Sequence, residues 1–302
     1  MAEHSQIGNY IVISPVKDEG PYVEKTIQSM IGQSVRPRRW MIVDDGSRDA
    51  TPQLLSHYAA QQPWITIVSV ARDQERRPGS AEVLAFLRGY KLVEREEFDF
   101  VVKLDCDLQF PPNYFETILA KFAMDPELGI ASGVYFEEHN GLWEPIKMPS
   151  YHAAGCSKVI RAQCFRDIGG FIPKPCWDTL DEIRAQVAGW KTQHFEDAPL
   201  RHLKTEGVGV GLGRTSMMQG QSYYLTGGGL LFFLLKVLHR LVFGTPFLVD
   251  GSLMLGGFLR AWINGEPKLV SGVEATAYRN LLRRRMFKAL SGVFTPLRTA
   301  SR

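Results

Sequence analysis

The stretch Phe98-Asp99-Phe100-Val101-Val102-Lys103-Leu104-Asp105-Cys106-Asp107-Leu108-Gln109-Phe110-Pro111-Pro112 decides the fold. Its apolar run, Phe100 to Leu104, predicts a buried strand. That strand stops on two carboxylates one residue apart, and Pro111-Pro112 then turns the chain into a new helix. Side-chain direction in an extended backbone repeats every two residues, so Asp105 and Asp107 are expected on one side. Carboxylates held that close repel each other, and a bound cation would relieve the repulsion. Hard oxygen ligands at a strand end suit Mg²⁺ or Mn²⁺ carrying phosphates. A solvated loop can have the same letters. What singles this pair out is its place at the C-terminal end of a strand, where open α/β sheets bind ligands.

Working outward, Tyr10 to Ile13 reads as a first strand running into Ser14-Pro15-Val16-Lys17-Asp18-Glu19-Gly20. A helix follows from Pro21, with Val23, Ile27, Met30 and Ile31 at helical spacing and a break near Gly32. Trp40 to Val43 is a second strand ending in Asp44-Asp45-Gly46-Ser47. Thr51-Pro52 predicts a helix start, with Thr51 as N-cap. Ile65 to Val70 is a third strand, Gly79 to Glu94 a helix, Pro112 to Ala123 another helix, and Ile130 to Phe136 a further strand. This alternation predicts parallel βαβ units in a doubly wound, mostly parallel α/β sheet with helices on both faces. The loops after the first, second and fourth strands then lie along one edge, and Asp18, Asp45, Asp105 and Asp107 converge on one crevice. No G-x-G-x-x-G follows the first strand, and Gly207-x-Gly209-x-Gly211-x-Gly213 has the wrong spacing, which disfavours a dinucleotide-binding dehydrogenase.

The 302 residues allow one large α/β domain with an appendage. A hydrophobic content of 45% and a charged content of 22% exclude wholesale disorder. The net charge of +3 hides an asymmetry. Between Ala275 and Arg302 there is no Asp or Glu but there are seven cations, Arg279, Arg283, Arg284, Arg285, Lys288, Arg298 and Arg302, which leaves the remainder at −4. Met1 to Tyr10 carries no basic region followed by an apolar core, so no secretory signal is expected. The four cysteines lack C-x-x-C spacing, which disfavours zinc or a redox pair and fits a reduced, cytoplasmic compartment.

Ser14-Pro15 through Asp18-Glu19 and Tyr22, then Ile42-Val43-Asp44-Asp45-Gly46-Ser47 with Asp49 and Thr51, then Leu104-Asp105-Cys106-Asp107, together resemble the family 2 glycosyltransferases of the GT-A fold. The resemblance covers roughly residues 7 to 220. It implies a nucleotide-diphosphate-sugar donor, a divalent metal (Mg²⁺ or Mn²⁺) and inversion at the anomeric carbon. Carried over position by position, Pro15, Asp18, Glu19 and Asp45 hold the donor. Asp105 sits near its ribose and the metal, and Asp107 ligates the metal. Trp177 to Trp190 reads as a helix closed by Gly189. Asp178 falls on the Asp of the family's Glu-Asp pair, Arg184 on its Arg and Gly189-Trp190 on its Gly-aromatic end; Trp177 replaces the Glu and Asp181 a Leu. An acceptor hydroxyl needs a carboxylate to take its proton, and Asp178 is the expected base. The leaving diphosphate needs positive charge. His202 stands where related enzymes supply a third metal ligand, although a lone His is more often structural. Arg214 and Gln219, in the Gly-rich Gly213 to Gln221 segment, could close over the diphosphate or belong to an ordinary loop.

From Tyr223 the composition changes. Leu230 to Leu235, Leu241 to Val249 and Leu253 to Leu259 are apolar but interrupted by charge, too short for the roughly 20 apolar residues of a spanning helix. A helical, membrane-interfacial appendage is expected over 221–302, with a small packed helical subdomain as the other reading. The catalytic domain is expected over 1–220, its donor half about 7–136 and its acceptor half about 137–220. The basic tail suits an anionic membrane surface on the cytoplasmic side. The expected acceptor is a lipid-linked sugar or a growing surface polysaccharide, and no nucleic acid is expected as a partner. Two rivals are a sugar-phosphate nucleotidyltransferase, which would want a Gly-rich phosphate loop after the first strand, and a membrane-bound scaffold with a dead donor site. The first lacks its loop, and the joint presence of Asp45, Asp105, Asp107 and Asp178 argues against the second.

Overall fold

The computed structural model describes residues 8–70, 80–204 and 211–293. The chain divides into two compact units, residues 1–208 and 209–302. Gly79 as a helix start, Gly207, Gly209, Arg298 and Arg302 lie outside the described residues.

In the first unit β1 (Tyr10–Val16), α1 (Val23–Ile31), β2 (Arg39–Asp44), α2 (Thr51–Ala59), β3 (Ile65–Ser69), α3 (Ala81–Val93) and β4 (Phe100–Leu104) alternate as the sequence predicts. The second half adds β5 (Leu108–Gln109), α4 (Tyr114–Met124), β6 (Leu128–His139), β7 (Leu142–Pro145), β8 (Ser157–Arg161), α5 (Ala162–Asp167), α6 (Trp177–Val187) and β9 (Lys191–His202). All nine strands form one sheet, in the order β3-β2-β1-β4-β8-β6-β9-β5, with β7 paired to β6. The central strands are buried on both faces, so their sequences are mostly apolar, with Ser14 in β1 and Lys103 in β4 as the buried polar exceptions. Tyr10, Val12, Val102 and Leu104 face one core with Ile27 of α1, Leu55 of α2 and Phe115 of α4. Ile11, Ile13 and Val101 face the other with Phe86 of α3, Phe165 of α5 and Trp177 of α6.

The sheet is mixed. β1 to β4 pair in parallel. β8 then inserts antiparallel between β4 and β6. Helix α4 therefore carries the chain from β4 to a strand of the same direction one place further on, and the gap is filled later by β8. A single-sequence pattern shows strand direction but not the place left open for a strand still to come.

At Gly133 the β6–β9 register shifts, and a methyl group there would run into the Ala198 carbonyl oxygen. β9 can bend over β6 only because that position has no side chain. Deeper in the same half, Lys158 of β8 is fully buried. Its Nζ lies 2.9 Å from Asp181 Oδ2 and 3.6 Å from Glu182 Oε1, both on α6. Glu182 in turn accepts from the Ala153 amide at 2.7 Å and lies 3.0 Å from His152 Nδ1.

The second unit holds α7 (Leu212–Leu225), α8 (Leu230–Phe243), α9 (Val249–Ile263) and α10 (Gly272–Val293). Gly213 to Gln221, for which an ordinary loop was one of two readings, is helical. Its glycine serves packing: Gly220 of α7 meets the Met254 carbonyl of α9, and Gly257 of α9 meets the Met217 carbonyl of α7. Small residues at the crossing let the two backbones approach. Tyr223, Phe233, Val237, Met254 and Leu282 make a separate apolar core, with the Phe233 and Phe258 rings stacked at 4.4 Å. Among the described residues no helix is long and apolar enough to cross a membrane.

Two outcomes follow from these features. Gly133→Ala is expected to destabilise the first unit by more than about 2 kcal/mol in urea unfolding, because backbone must move to admit the methyl group. Lys158→Met leaves two buried carboxylates without their cation and is expected to cost about 3–5 kcal/mol. Adding Asp181→Leu to that variant should recover a large part of the loss, a non-additivity that a double-mutant cycle measures directly.

Candidate active site

The C-terminal ends of β1, β2 and β4 open on one edge, because β1 pairs Val16 with Asp44 and Ile13 with Lys103. Three acidic loops leave the sheet there. The first two are laced together. Asp18, in the left-handed region at φ 52°, donates its amide to Ser47 Oγ, and its Oδ1 accepts from the Arg48 amide. The Glu19 amide donates to Thr51 Oγ1, and the Gly20 amide donates to Asp49 Oδ2. Thr51 is thus the first residue of α2 rather than its N-cap, and its hydroxyl is spent on the neighbouring loop. Asp44 is buried and closes its own turn by accepting from the Ser47 amide at 2.9 Å. Asp45 remains partly exposed, 3.6 Å from Arg88. Pro15 lies between Ser14 and Val16 at the end of β1, opposite Val43.

After Leu104 the strand conformation ends, and Cys106 and Asp107 form a bend. The two carboxylates are therefore not ranked along one extended face, as the sequence suggested. Each has its own cation. Asp105 Oδ1 lies 2.6 Å from Nζ of Lys103, itself buried in β4 and 3.5 Å from Glu82. Burial lowers the proton affinity of Lys103, but Asp105 and Glu82 outweigh it, so the lysine stays charged. Burial likewise pushes the Asp105 carboxyl up, against the pull of Lys103. Asp107 is 8% exposed; its Oδ2 lies 3.3 Å from His202 Nε2, at the end of β9. Glu137 approaches the other ring nitrogen at 3.2 Å. Burial alone would lower the His202 pKa; the Asp107 hydrogen bond and the charges of Asp107, Asp105 and Glu137 prevail and raise it to about 9.

Two oxygens are left over. Asp107 Oδ1 and Glu19 Oε2 are buried without a hydrogen-bond partner, and the two groups act on each other electrostatically. Burial raises the Glu19 pKa, opposed by a 2.7 Å contact between its other oxygen and Lys204. Buried carboxylate oxygens without donors are costly, and they mark where a ligand supplies what the protein withholds. Among the described residues no three His, Cys, Asp or Glu side chains are gathered closely enough to hold an ion by themselves. The expected set of Asp105, Asp107 and His202 is thus not assembled by the protein alone. Mg²⁺ and Mn²⁺ are commonly held by one or two protein ligands with phosphates completing the shell, and an orphaned Asp107 oxygen beside His202 fits that pattern.

Asp178 occupies the second position of α6 and is partly exposed. The segment before β8 lies between it and Asp105. The Asp105 amide donates to the Cys156 carbonyl at 2.8 Å, and Gly155 keeps open a space only 3.7 Å from the Asp178 Cβ. Lys158 Nζ donates to the Asp178 backbone carbonyl at 3.1 Å and fixes the start of the helix. Trp177, which replaces an acid in the resemblance, donates Nε1 to Glu82 at 2.8 Å. The Lys103 and Lys158 ammonium groups lie 5.1 and 5.2 Å from its ring centre. Arg184 donates to the Ile168 carbonyl. Arg214 and Gln219 lie on α7, in the other unit.

Sequence reasoning missed Lys103, Glu82, Lys158, Glu182, Lys204 and Glu137. For Lys103 a signal was present, since it is the lone charge inside the otherwise apolar β4. The others come from distant parts of the chain and carry no local mark.

The same architecture recurs in solved structures. A mannosyltransferase, PcManGT from Pyrobaculum calidifontis, in complex with GDP-Man and Mn²⁺, superposes with a TM-score of 0.54 at 14% identity, over 95% of this chain and 87% of that one. TarS residues 1–349 from S. aureus, in complex with UDP-GlcNAc, gives 0.53 at 17% identity, over 90% and 79%. At that identity the likeness concerns the fold. No curated protein sequence matches the chain. The family model of glycosyl transferase family 2 matches residues 11–177, more than half of the chain, with the crevice loops and the Trp177 end of α6 inside the match. The chain belongs to glycosyl transferase family 2.

Proposed function

We propose that this glycosyltransferase moves a sugar, with inversion, from a nucleotide-diphosphate donor to an acceptor hydroxyl on a lipid-linked sugar or a surface polysaccharide. The observation that carries the reading is the pair of buried, partnerless oxygens on Asp107 and Glu19 at the C-terminal edge of the sheet. In this reading the nucleoside lies along Pro15, Asp18, Glu19 and Asp45, with Asp105 held toward it by Lys103. Asp107 and His202 hold a Mg²⁺ or Mn²⁺, as the chemistry of their donor atoms allows. When bound, the cation supplies positive charge to the leaving diphosphate.

The remaining chemistry belongs to the chain's own carboxylate. Asp178 accepts the proton of the acceptor hydroxyl as its oxygen bonds to the anomeric carbon and the bond to the diphosphate breaks. Lys158 is a positioning residue, because it holds the backbone of Asp178 and not its carboxylate. The second unit, with a basic tail and exposed leucines on α8, suits a peripheral seat on the cytoplasmic face of a membrane. That placement would bring a lipid-linked acceptor within reach.

Two variants test the chemistry. Asp107→Ala should abolish transfer, and donor binding by the wild type, measured calorimetrically, should require a divalent ion; full wild-type activity in excess chelator would refute the metal assignment. Asp178→Asn keeps the shape but not the proton affinity. It should bind donor as the wild type does and lose about two to four orders of magnitude in transfer rate. Near-normal transfer by that variant would place the base elsewhere.

A further inference from the structure

Between α8 and α10 runs a groove of about 320 Å³, lined by Leu230, Phe232, Leu282 and Met286, with Arg279 and Arg283 among its walls. One turn beyond Phe232 on α8 stands Lys236, and the Arg285 guanidinium lies 5.8 Å from the Phe232 ring centre. Lys236 has no carboxylate partner among the described residues. Asp250, the one acid that acts on it, is engaged by Arg240 at 3.3 Å and by Ser216. Burial, then the neighbouring Arg240 and Arg285, lower the Lys236 pKa to about 8. The whole second unit is short of acids: residues 209–302 carry twelve Lys and Arg against three Asp and Glu. Lys236 and Arg285 thus flank Phe232, a wall of the groove, and among the described residues no carboxylate pairs with either, since Asp250 is taken by Arg240. That arrangement costs free energy unless a ligand supplies the charge.

The outer surface of α8 says what kind of ligand. Leu234, Leu238 and Val242, spaced along one helical face, are each about half exposed, and Leu231, at the groove, is 63% exposed. A water-soluble anion would leave that stripe in water, whereas a membrane surface would cover it. We propose that the α8–α10 groove binds one anionic phospholipid, its phosphate on Lys236 and Arg285 and its chain along Leu230, Phe232, Leu282 and Met286. This rests on the membrane part of the reading above and is independent of the donor crevice.

The test titrates the full chain, in a calorimeter, with dihexanoyl phosphatidylglycerol below its micellar concentration, with dihexanoyl phosphatidylcholine, and with inorganic phosphate. The expected result is saturable one-to-one binding of phosphatidylglycerol, with phosphatidylcholine and phosphate at least tenfold weaker. Lys236→Gln combined with Arg285→Gln should weaken it at least tenfold. Arg260→Gln, an exposed cation on α9, should leave it unchanged. Unfolding of the double variant, followed by circular dichroism, should match the wild type, which separates lost binding from lost structure. Equal binding of phosphatidylcholine, phosphate binding as tight as that of the lipid, or equal weakening by Arg260→Gln would each overturn the proposal. Sedimentation with anionic vesicles separates the two readings: a protein that sediments but shows no saturable short-chain binding refutes the groove and keeps the membrane seat. One that binds the short-chain lipid but ignores vesicles keeps the groove and refutes the seat.

Discussion

Two buried ammonium groups set the terms for the catalytic half. Lys103 of β4 and Lys158 of β8 are register partners on adjacent strands, both buried, and both stand against the Trp177 ring. A cation in a protein interior persists only where carboxylates meet it. Each lysine therefore dictates where acids go. Lys103 draws Asp105 and Glu82 to one side, and Lys158 draws Asp181 and Glu182 to the other. Glu82 then takes the indole N–H of Trp177, and Glu182 takes His152 and the Ala153 amide. The loop after β4, the start of α6 and the segment before β8 are all tied to this pair. Those three pieces carry Asp105, Asp178 and the opening between them.

The same interaction explains the departure at Trp177. The resemblance places a Glu before the Asp of α6, and a Glu there would add a further acid to an already crowded site. In this chain the indole covers both lysines with its ring, and the acids come from Glu82, Asp181 and Glu182 instead. Asp181, where the resemblance implies a Leu, gives Lys158 its partner on the buried face of α6. Trp177 and Asp181, four residues apart on α6, thus meet at the same ammonium group.

What was legible in the sequence is what local pattern controls. The apolar runs of β1, β2 and β4 ending on acids placed the crevice, because strands buried on both faces must be apolar and the turns that end them must be polar. Partners across the sheet were not legible. Asp105 and Asp107 were expected to share one face and to repel, yet the chain bends at Cys106 and the two acids separate to Lys103 and His202. Thr51 has the letters of a cap but gives its hydroxyl to Glu19 of another loop. Gly213 to Gln221 has the composition of a loop, but Gly220 is small because α9 crosses there. For Asp107, Thr51 and Gly220 the cause is one: a contact with a residue far along the chain outweighed a local preference, whereas Asp105 turns to Lys103, two residues before it.

The ends of β9 give the crevice a history in time. Glu19 finds its lysine 185 residues later, at Lys204, and Asp107 finds its imidazole at His202, both where β9 runs out. A nascent chain that has exposed only β1 to β4 can pair those strands, but it still carries two acids at their edge without counter-charge. Contacts of such long sequence separation form late, because the loop they close must be ordered first. The donor side of the cleft is thus drafted early in synthesis and finished only when the last strand docks. Until β8 pairs with it, β4 is an open edge of the half-built sheet, and a cell making this enzyme has to keep that edge from finding another chain.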